Sequence, residues 1–336
     1  MTKKWLVNVP VAIYIWIRPD CQKRQFKIIR DVRPRILFLL SDGGRNETER
    51  SAIVHNRKML ESGIDWECTV YKVFEERNLG LYSFGKKAHQ TVWKIVDRCI
   101  FLEDDILPSH SFFKYCENLL ERYKDDTRIC QICGMNHLGK YDVCNKDYFF
   151  SRQGAIWGYA TWRRVYQTFY DEGYFQDTYE LKLLENSTKG NKLFWKRLTG
   201  YRTNKNFEGH PAGHEYFFEF CIYGHNQIQI VPRVNLISNI GASSDSAHAD
   251  ELNCLPKKIR NLFNMKTFEL NFPLRHPNYV IPDEKYANKV ERMMGFNHPL
   301  IALSYKVQRF LLLIRHGKFS TIAKKIKKIV YATSEK

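Results

Sequence analysis

The run Cys99-Ile100-Phe101-Leu102-Glu103-Asp104-Asp105-Ile106-Leu107-Pro108 carries a short apolar stretch into three consecutive carboxylates and stops at proline. Such a charge cluster is very costly to bury beside a strand unless a cation or sugar hydroxyls compensate it. The pattern predicts a strand end that holds a divalent metal. Hard metals such as Mg²⁺ or Mn²⁺ take oxygen ligands, keep several waters and are shared between one or two carboxylates and a substrate's phosphates. That points to chemistry on a phosphate-bearing donor. The competing reading is a solvated acidic turn after an edge strand, and the triplet by itself does not separate the two.

The elements that must position this triplet follow from hydropathy patterning. Val11 to Ile17 is a near-continuous apolar run ended by Arg18-Pro19-Asp20, as expected of a buried parallel strand entering a loop. Arg35 to Leu40 is a second such run, closed by Ser41-Asp42-Gly43-Gly44, and helical spacing follows from Glu47 to Ser62. Trp66 to Val73 reads as a third strand, followed by Arg77-Asn78-Leu79-Gly80 and a helix over Tyr82 to Val96 that leads back into the acidic strand. Strands alternating with helices imply a parallel sheet covered on both faces. Ligands on such sheets bind beyond the carboxyl ends of the strands. Arg18-Pro19, Asp42-Gly43 and Glu103-Asp104-Asp105 all stand at such ends.

Beyond Pro108 the spacing predicts a helix from the Ser109 cap to about Tyr123 and a buried strand over Ile129 to Cys133. Ser151 to Trp162 is dense in Gly, Ala and Trp, residue types that let backbone approach a ligand while indoles stack on it. Lys182 to Asn206 is polar and basic, which predicts a helix followed by a mobile loop. Gly209 to Gly213 then runs into a helix whose first turn bears Glu215. A boundary near Cys254-Leu255-Pro256 divides a unit of residues 1–254 from a C-terminal appendage of residues 255–336.

Composition bounds the rest. A hydrophobic fraction of 44% with 14% aromatics in 336 residues excludes disorder and supplies rings for a sugar or nucleoside pocket as well as a core. No stretch reaches transmembrane length, and nine scattered cysteines show no disulfide rhythm, which suits a reducing compartment such as the cytoplasm. Cys130 and Cys133 form a CxxC with no second pair, in a strand-like run that argues against zinc. The net charge of +17 is uneven, because residues 301–336 hold nine Lys or Arg against the single acid Glu335. There Phe319, Ile322, Ile326 and Ile329 recur at helical spacing opposite Lys324, Lys325, Lys327 and Lys328. An amphipathic basic helix of this kind suits an anionic membrane surface, or else docks with a solvated lysine face. A nucleic-acid partner is not indicated, since the basic residues gather in this tail and no RNA-module motif is present.

With these blocks in order, residues 10 to 250 resemble a nucleotide-sugar glycosyltransferase of the GT-A fold. They are similar to bacterial glycosyltransferase family 2-like proteins of the hemolysin activation protein type and, more distantly, to N-acetylglucosaminyltransferase I. The blocks are Arg18-Pro19, Ser41-Asp42-Gly43, Asn78-Leu79-Gly80, Leu102 to Pro108 with Phe112-Phe113, Trp157 to Trp162, and Pro232 to Gly241. The resemblance implies an α/β Rossmann-like fold with a mixed central sheet and a C-terminal helical appendage, a donor half over about 10–108 and an acceptor half over about 109–254. It implies that Arg18 and Asp42 hold the donor's base, that Asp104 approaches the ribose, that Glu103 accepts hydroxyl hydrogen bonds from the donor, and that Asp105 ligates Mn²⁺ or Mg²⁺. Trp157, Gly158 and Trp162 fall to the acceptor side. Glu215, standing in His214-Glu215-Tyr216 where relatives carry Asp, is the implied base. The activity implied is metal-dependent, inverting transfer from a nucleotide sugar, a UDP-sugar favoured, to a bacterial surface glycan or lipid-linked acceptor. A retaining enzyme or an inactive membrane-docking scaffold of the same fold are the alternatives.

Overall fold

The computed structural model describes residues 3–142, 145–169, 177–188, 214–241 and 252–323. Among these, the strands are β1 (Val11–Ile15), β2 (Ile36–Ser41), β3 (Thr69–Phe74), β4 (Arg98–Leu102), β5 (Ile106–Pro108), β6 (Ile129–Cys133), β7 (Tyr148–Ser151), β8 (Tyr159–Trp162), β9 (Ile228–Pro232) and β10 (Ile237–Asn239). The helices are α1 (Pro19–Val32), α2 (Glu47–Gly63), α3 (Leu81–Ile95), α4 (His110–Arg122), α5 (Arg163–Phe169), α6 (Thr178–Ser187), α7 (His214–Gly224), α8 (Lys257–Arg260), α9 (Glu284–Met294) and α10 (Pro299–Arg315).

Eight strands form one mixed sheet in the order β3-β2-β1-β4-β8-β6-β9-β7, while β10 pairs with β5 in a separate two-stranded ribbon. The chain is therefore an α/β protein with the mixed central sheet that the sequence led us to expect. Strands β3, β2, β1 and β4 run parallel, so the segments after Ile15, Ser41, Phe74 and Leu102 leave along one edge. Continuous apolar sequence explains their central place: Val11, Ala12, Ile13, Leu37, Phe38, Leu39, Cys99 and Ile100 are all fully buried. Proline at the first position of α1 and the Asn46 side chain, which accepts the Glu49 N–H at 3.0 Å, start the two helices that follow β1 and β2.

The second half reverses direction. β8 lies antiparallel between β4 and β6, with Tyr159 opposite Phe101 and Trp162 opposite Arg98. Sequence patterning treats Ser151 to Trp162 as a Gly- and Trp-rich approach to ligand, whereas its last four residues form a buried central strand. Four residues buried on both faces show no alternation. On β6, Cys130 and Cys133 lie three residues apart and point to opposite faces of the strand, with Cys130 Sγ near the Ile228 carbonyl and Cys133 Sγ on Gln229 Oε1. Burial pushes both thiols up, Cys133 to about 12, so neither is a ready thiolate ligand.

Residues 255–294, expected in the appendage, pack into the main body. Leu262, Leu270 and Leu274 join the central core, and Tyr286 and Val290 of α9 pack with Cys133, Phe149 and Val231. The Asp283 N–H reaches the Phe150 carbonyl at 2.8 Å beside the bridge between Phe150 and Pro282. α10 extends beyond this packing, and its one buried apolar residue is Leu313. Among the described residues no helix is long and apolar enough to cross a membrane. The expected amphipathic stripe from Phe319 continues past Ala323 outside the described residues, and the loop expected up to Asn206 lies outside them from residue 189 on.

Candidate functional site

β4 delivers the acidic triplet to the sheet edge shared by β1 and β2. Glu103 is exposed, whereas Asp104 and Asp105 are 8% and 9% exposed. They occupy a turn closed by the Ile106 N–H on the Glu103 carbonyl at 3.1 Å. Two elements remote in sequence grip this turn. From α1, Gln25 Nε2 donates to the Glu103 and Ile106 carbonyls at 2.6 and 2.7 Å, while its Oε1 accepts from Gln22, which also donates to the Tyr14 carbonyl. From the other side, β10 pairs Asn239 with Ile106, the Ile240 N–H donates to the Asp105 carbonyl at 2.8 Å, and the Gly241 backbone lies against the Asp105 carboxylate. A Cβ at Gly241 would collide with that carboxylate. Sequence reasoning missed Gln22 and Gln25, yet two glutamines on the buried face of an amphipathic helix are a readable anomaly, because buried amides need backbone partners.

Arg18, at the start of α1, points into the pair. Its Nη1 donates to Asp104 Oδ1 at 3.1 Å and Asp105 Oδ2 at 2.8 Å. It pairs with these acids and not with Asp20. Among the described residues its Nε and Nη2 have no partner. Burial drives the Asp104 carboxyl up to about 7, against the pull of Arg18, and raises Asp105 as well. One guanidinium does not compensate two buried carboxylates, so they hold on to a proton unless further positive charge arrives.

Asp42, the acid after β2, performs a different local task. Its carboxylate accepts the N–H groups of Gly43, Leu79 and Gly80 at 2.8, 2.9 and 3.0 Å and the Asn78 amide at 3.1 Å. Two blocks far apart in sequence, Ser41-Asp42-Gly43 and Asn78-Leu79-Gly80, are thus one structural unit. Glycine is required in both: a Cβ at Gly43 would meet the Arg77 backbone, and Gly80 holds a φ of +82°. Beneath them Arg57 of α2, 9% exposed and unsuspected from sequence, donates to Ser41 Oγ and to the carbonyls of Ser41, Asp42 and Glu75, stacked on Phe74. These contacts fix the ends of β2 and β3.

On the acceptor side the expected residues separate. Gly158, at φ +62°, gives its carbonyl to the Gly134 N–H at 2.8 Å and lies against Ile237 and Ile106, next to the triplet's exit. Trp157 packs at a tilt against Phe263, ring centres 5.0 Å apart, and lines a cavity of about 380 Å³ with Gln131, His137, Arg152 and Gln229. Trp162 is not brought to this edge. It stands at the far end of β8 opposite Arg98, 4% exposed, with its indole N–H on the Leu120 carbonyl at 3.0 Å. That correction follows from β8 being a strand: four residues carry Trp162 away from Gly158. Glu215 falls in the first turn of α7, but its side chain lies outside the described residues.

Among the described residues no group of three or more His, Cys, Asp or Glu side chains is arranged to hold a metal by itself. Asp105 nevertheless fits a single-carboxylate ligand. Its Oδ1 is buried and makes no full hydrogen bond, although the Asn239 side chain lies close enough to pull the carboxyl's pKa down; its Oδ2 accepts from Arg18, and burial raises its pKa against both. A hard cation sharing this oxygen with substrate phosphates suits that donor set.

No protein-family model matches the chain, and no curated protein matches it. Among solved structures, the mannosyltransferase PcManGT from Pyrobaculum calidifontis, in complex with GDP-Man and Mn²⁺, is similar at 12% identity over 48% of this chain and 46% of its own, with a TM-score of 0.33. A UDP-glucose pyrophosphorylase complexed with UDP-glucose is similar at 9% identity over 68% of this chain and 91% of its own, with a TM-score of 0.37. At these scores neither likeness carries an argument about function, which rests on the site.

Proposed function

We propose that this chain is a metal-dependent, inverting glycosyltransferase of the GT-A fold that uses a nucleotide sugar, a UDP-sugar favoured. The observation that carries the reading is the buried Asp104–Asp105 pair, two carboxylates held under one arginine, with an Asp105 oxygen that no full hydrogen bond satisfies. Such a site is short of positive charge, and the divalent cation that accompanies a nucleoside diphosphate supplies it. Asp105 is the metal ligand, Mn²⁺ or Mg²⁺, and a bound ion there supplies charge neutralisation on the leaving diphosphate. The unpartnered Nε and Nη2 of Arg18 bind donor phosphate or base, Asp104 and the exposed Glu103 take donor hydroxyls, and Asp42 shapes the base-side loop. Trp157 and Gly158 border the acceptor, and Glu215 takes the proton of the attacking hydroxyl. The acceptor in this reading is a surface glycan or its lipid-linked precursor, handled on the cytoplasmic side in polysaccharide biosynthesis.

The deciding experiment measures binding and slow hydrolysis of UDP-, GDP-, CMP- and dTDP-sugars, with and without Mn²⁺, by the wild type and Asp105→Ala. Selective, Mn²⁺-dependent engagement that Asp105→Ala abolishes is the expected result. Folded protein that engages no donor in either condition refutes a transferase and leaves the inactive scaffold.

A further inference from the structure

α10 presents an apolar face that nothing among the described residues covers. Leu300, Leu303, Val307, Phe310, Leu311 and Ile314 are between 42% and 81% exposed. At about 100° per residue these side chains fall within an arc of about 100°, one continuous stripe. Scattered exposed leucines are ordinary, but a contiguous stripe marks an interaction surface. The helix is not adrift: Tyr305 Oη donates to the Met293 carbonyl at 2.7 Å, Tyr305 lies over Gly295, and Leu313 is buried. These anchors lie off the stripe and turn it outward.

Charge identifies the occupant. Lys306 and Arg315 flank the stripe on either side, and both are exposed. From Glu291 to Glu335 the sequence holds no acid, while Arg292, Lys306, Arg309, Arg315, Lys318, Lys324, Lys325, Lys327 and Lys328 lie between them. A second copy of this chain would bring two such basic segments together, whereas an anionic lipid surface would complement one. We propose that α10 is a membrane-docking helix that lies in the interface of an anionic bilayer, with Leu303, Val307 and Phe310 among the acyl chains and Lys306 and Arg315 at the headgroups. At 17 residues it is too short to span, and it lies flat. This inference stands apart from the transferase reading, since no residue of the donor site belongs to it.

The test is co-sedimentation of the full chain with vesicles of phosphatidylglycerol and phosphatidylcholine in equal parts, and with phosphatidylcholine alone. The wild type is expected to bind the mixed vesicles, and less tightly as salt rises. Leu303→Ser with Phe310→Ser should abolish sedimentation. Lys306→Gln with Arg315→Gln should lower partitioning roughly 25-fold, at about fivefold per cation near the headgroups. All four residues are exposed, so unchanged circular dichroism and donor binding show that the fold survives. Vesicle binding undiminished in Leu303→Ser with Phe310→Ser overturns the proposal. So does light scattering that finds a wild-type dimer, split by the same variant, with no vesicle binding.

Discussion

Replacing Asp42 with alanine should destabilise the protein by about 3 kcal/mol, because one carboxylate ties two strand ends together. Four donors end on it: three backbone N–H groups and the Asn78 amide, at 2.8 to 3.1 Å, around a side chain in a residue that is 6% exposed. Hydrogen bonds to a charged partner contribute about 1.5–3 kcal/mol each, which would sum to roughly 6–12 kcal/mol if nothing opposed them. Two effects oppose them. Burial raises the Asp42 pKa despite the three backbone donors, so desolvation of the carboxylate cancels a large share of the gain. Truncation also opens a space at a half-exposed loop where water can reach Asn78 and Leu79. What remains is of the size seen when a buried polar network loses its hub, about 3 kcal/mol and not above about 5. Asp42→Asn keeps one oxygen that can serve two donors and should lose about half as much. Urea unfolding followed by tryptophan fluorescence measures both, with amide exchange at Leu79 and Gly80 as the local readout. An Asp42→Ala protein within about 0.5 kcal/mol of the wild type, its Leu79 amide still protected, refutes the account of this loop.

Three further outcomes follow from the same geometry. Gly241→Ala puts a methyl on the Asp105 carboxylate and should abolish Mn²⁺-dependent donor binding, by calorimetry, at a stability cost of about 1–3 kcal/mol; wild-type binding in this variant would show that the carboxylate has room to move. The Asp104 carboxyl sits at about 7, above its unfolded value, so the folded state binds more protons than the unfolded one between about 4 and 7 and stability from this group falls as pH rises through that window. Mn²⁺ competes with those protons, and its thermal stabilisation should therefore be larger at pH 8 than at pH 5; equal shifts at both values would contradict the assignment. Trp162→Phe should lower stability by about 1–2 kcal/mol through the lost Leu120 hydrogen bond and the space left by the indole, while donor binding is unchanged; altered donor binding would place Trp162 in the site.

How much of this was legible in the sequence depended on whether a signal was local. Strands β1, β2, β4 and β6 were readable because central parallel strands are apolar on both faces, and α2 and α4 because their polar faces interrupt that pattern at helical spacing. β8 was not, because Tyr-Ala-Thr-Trp is as short as a loop fragment and stands behind Gly154 and Gly158. The pairing of Arg18 with Asp104 and Asp105 joins positions 86 and 87 residues apart, and nothing in the spacing around Arg18 distinguishes it from a pair with Asp20. The place of residues 255–294 was hidden for the same reason: Tyr286 and Val290 look like any helical apolar pair until β7 and β9 supply the surface they cover. The α10 stripe drew no notice in the sequence, where an apolar helical face ordinarily means burial, and only the packing shows that nothing among the described residues covers this one.

That long-range dependence bears on how the site is built. A division into a donor half before Pro108 and an acceptor half after it suggests that the first half could hold a nucleotide by itself. The contacts argue otherwise. Asp104 and Asp105 are buried in part by β10 and the two residues after it, the Ile240 N–H donating to the Asp105 carbonyl and Gly241 covering its carboxylate, more than 130 residues downstream. β10 is in turn held by the Asn264 N–H on the Asn239 carbonyl and by Asn235, whose amide donates to the carbonyls of Ile237 and Lys266. Removing the segment beyond Val234 would expose the acidic pair to water, relieve the desolvation that raises both pKa values, and with it the charge deficit that favours a cation. The carboxylates come from the first half of the chain, but among the described residues the low-dielectric setting that gives them their appetite for positive charge is completed by residues 235–241, braced by Asn264 and Lys266.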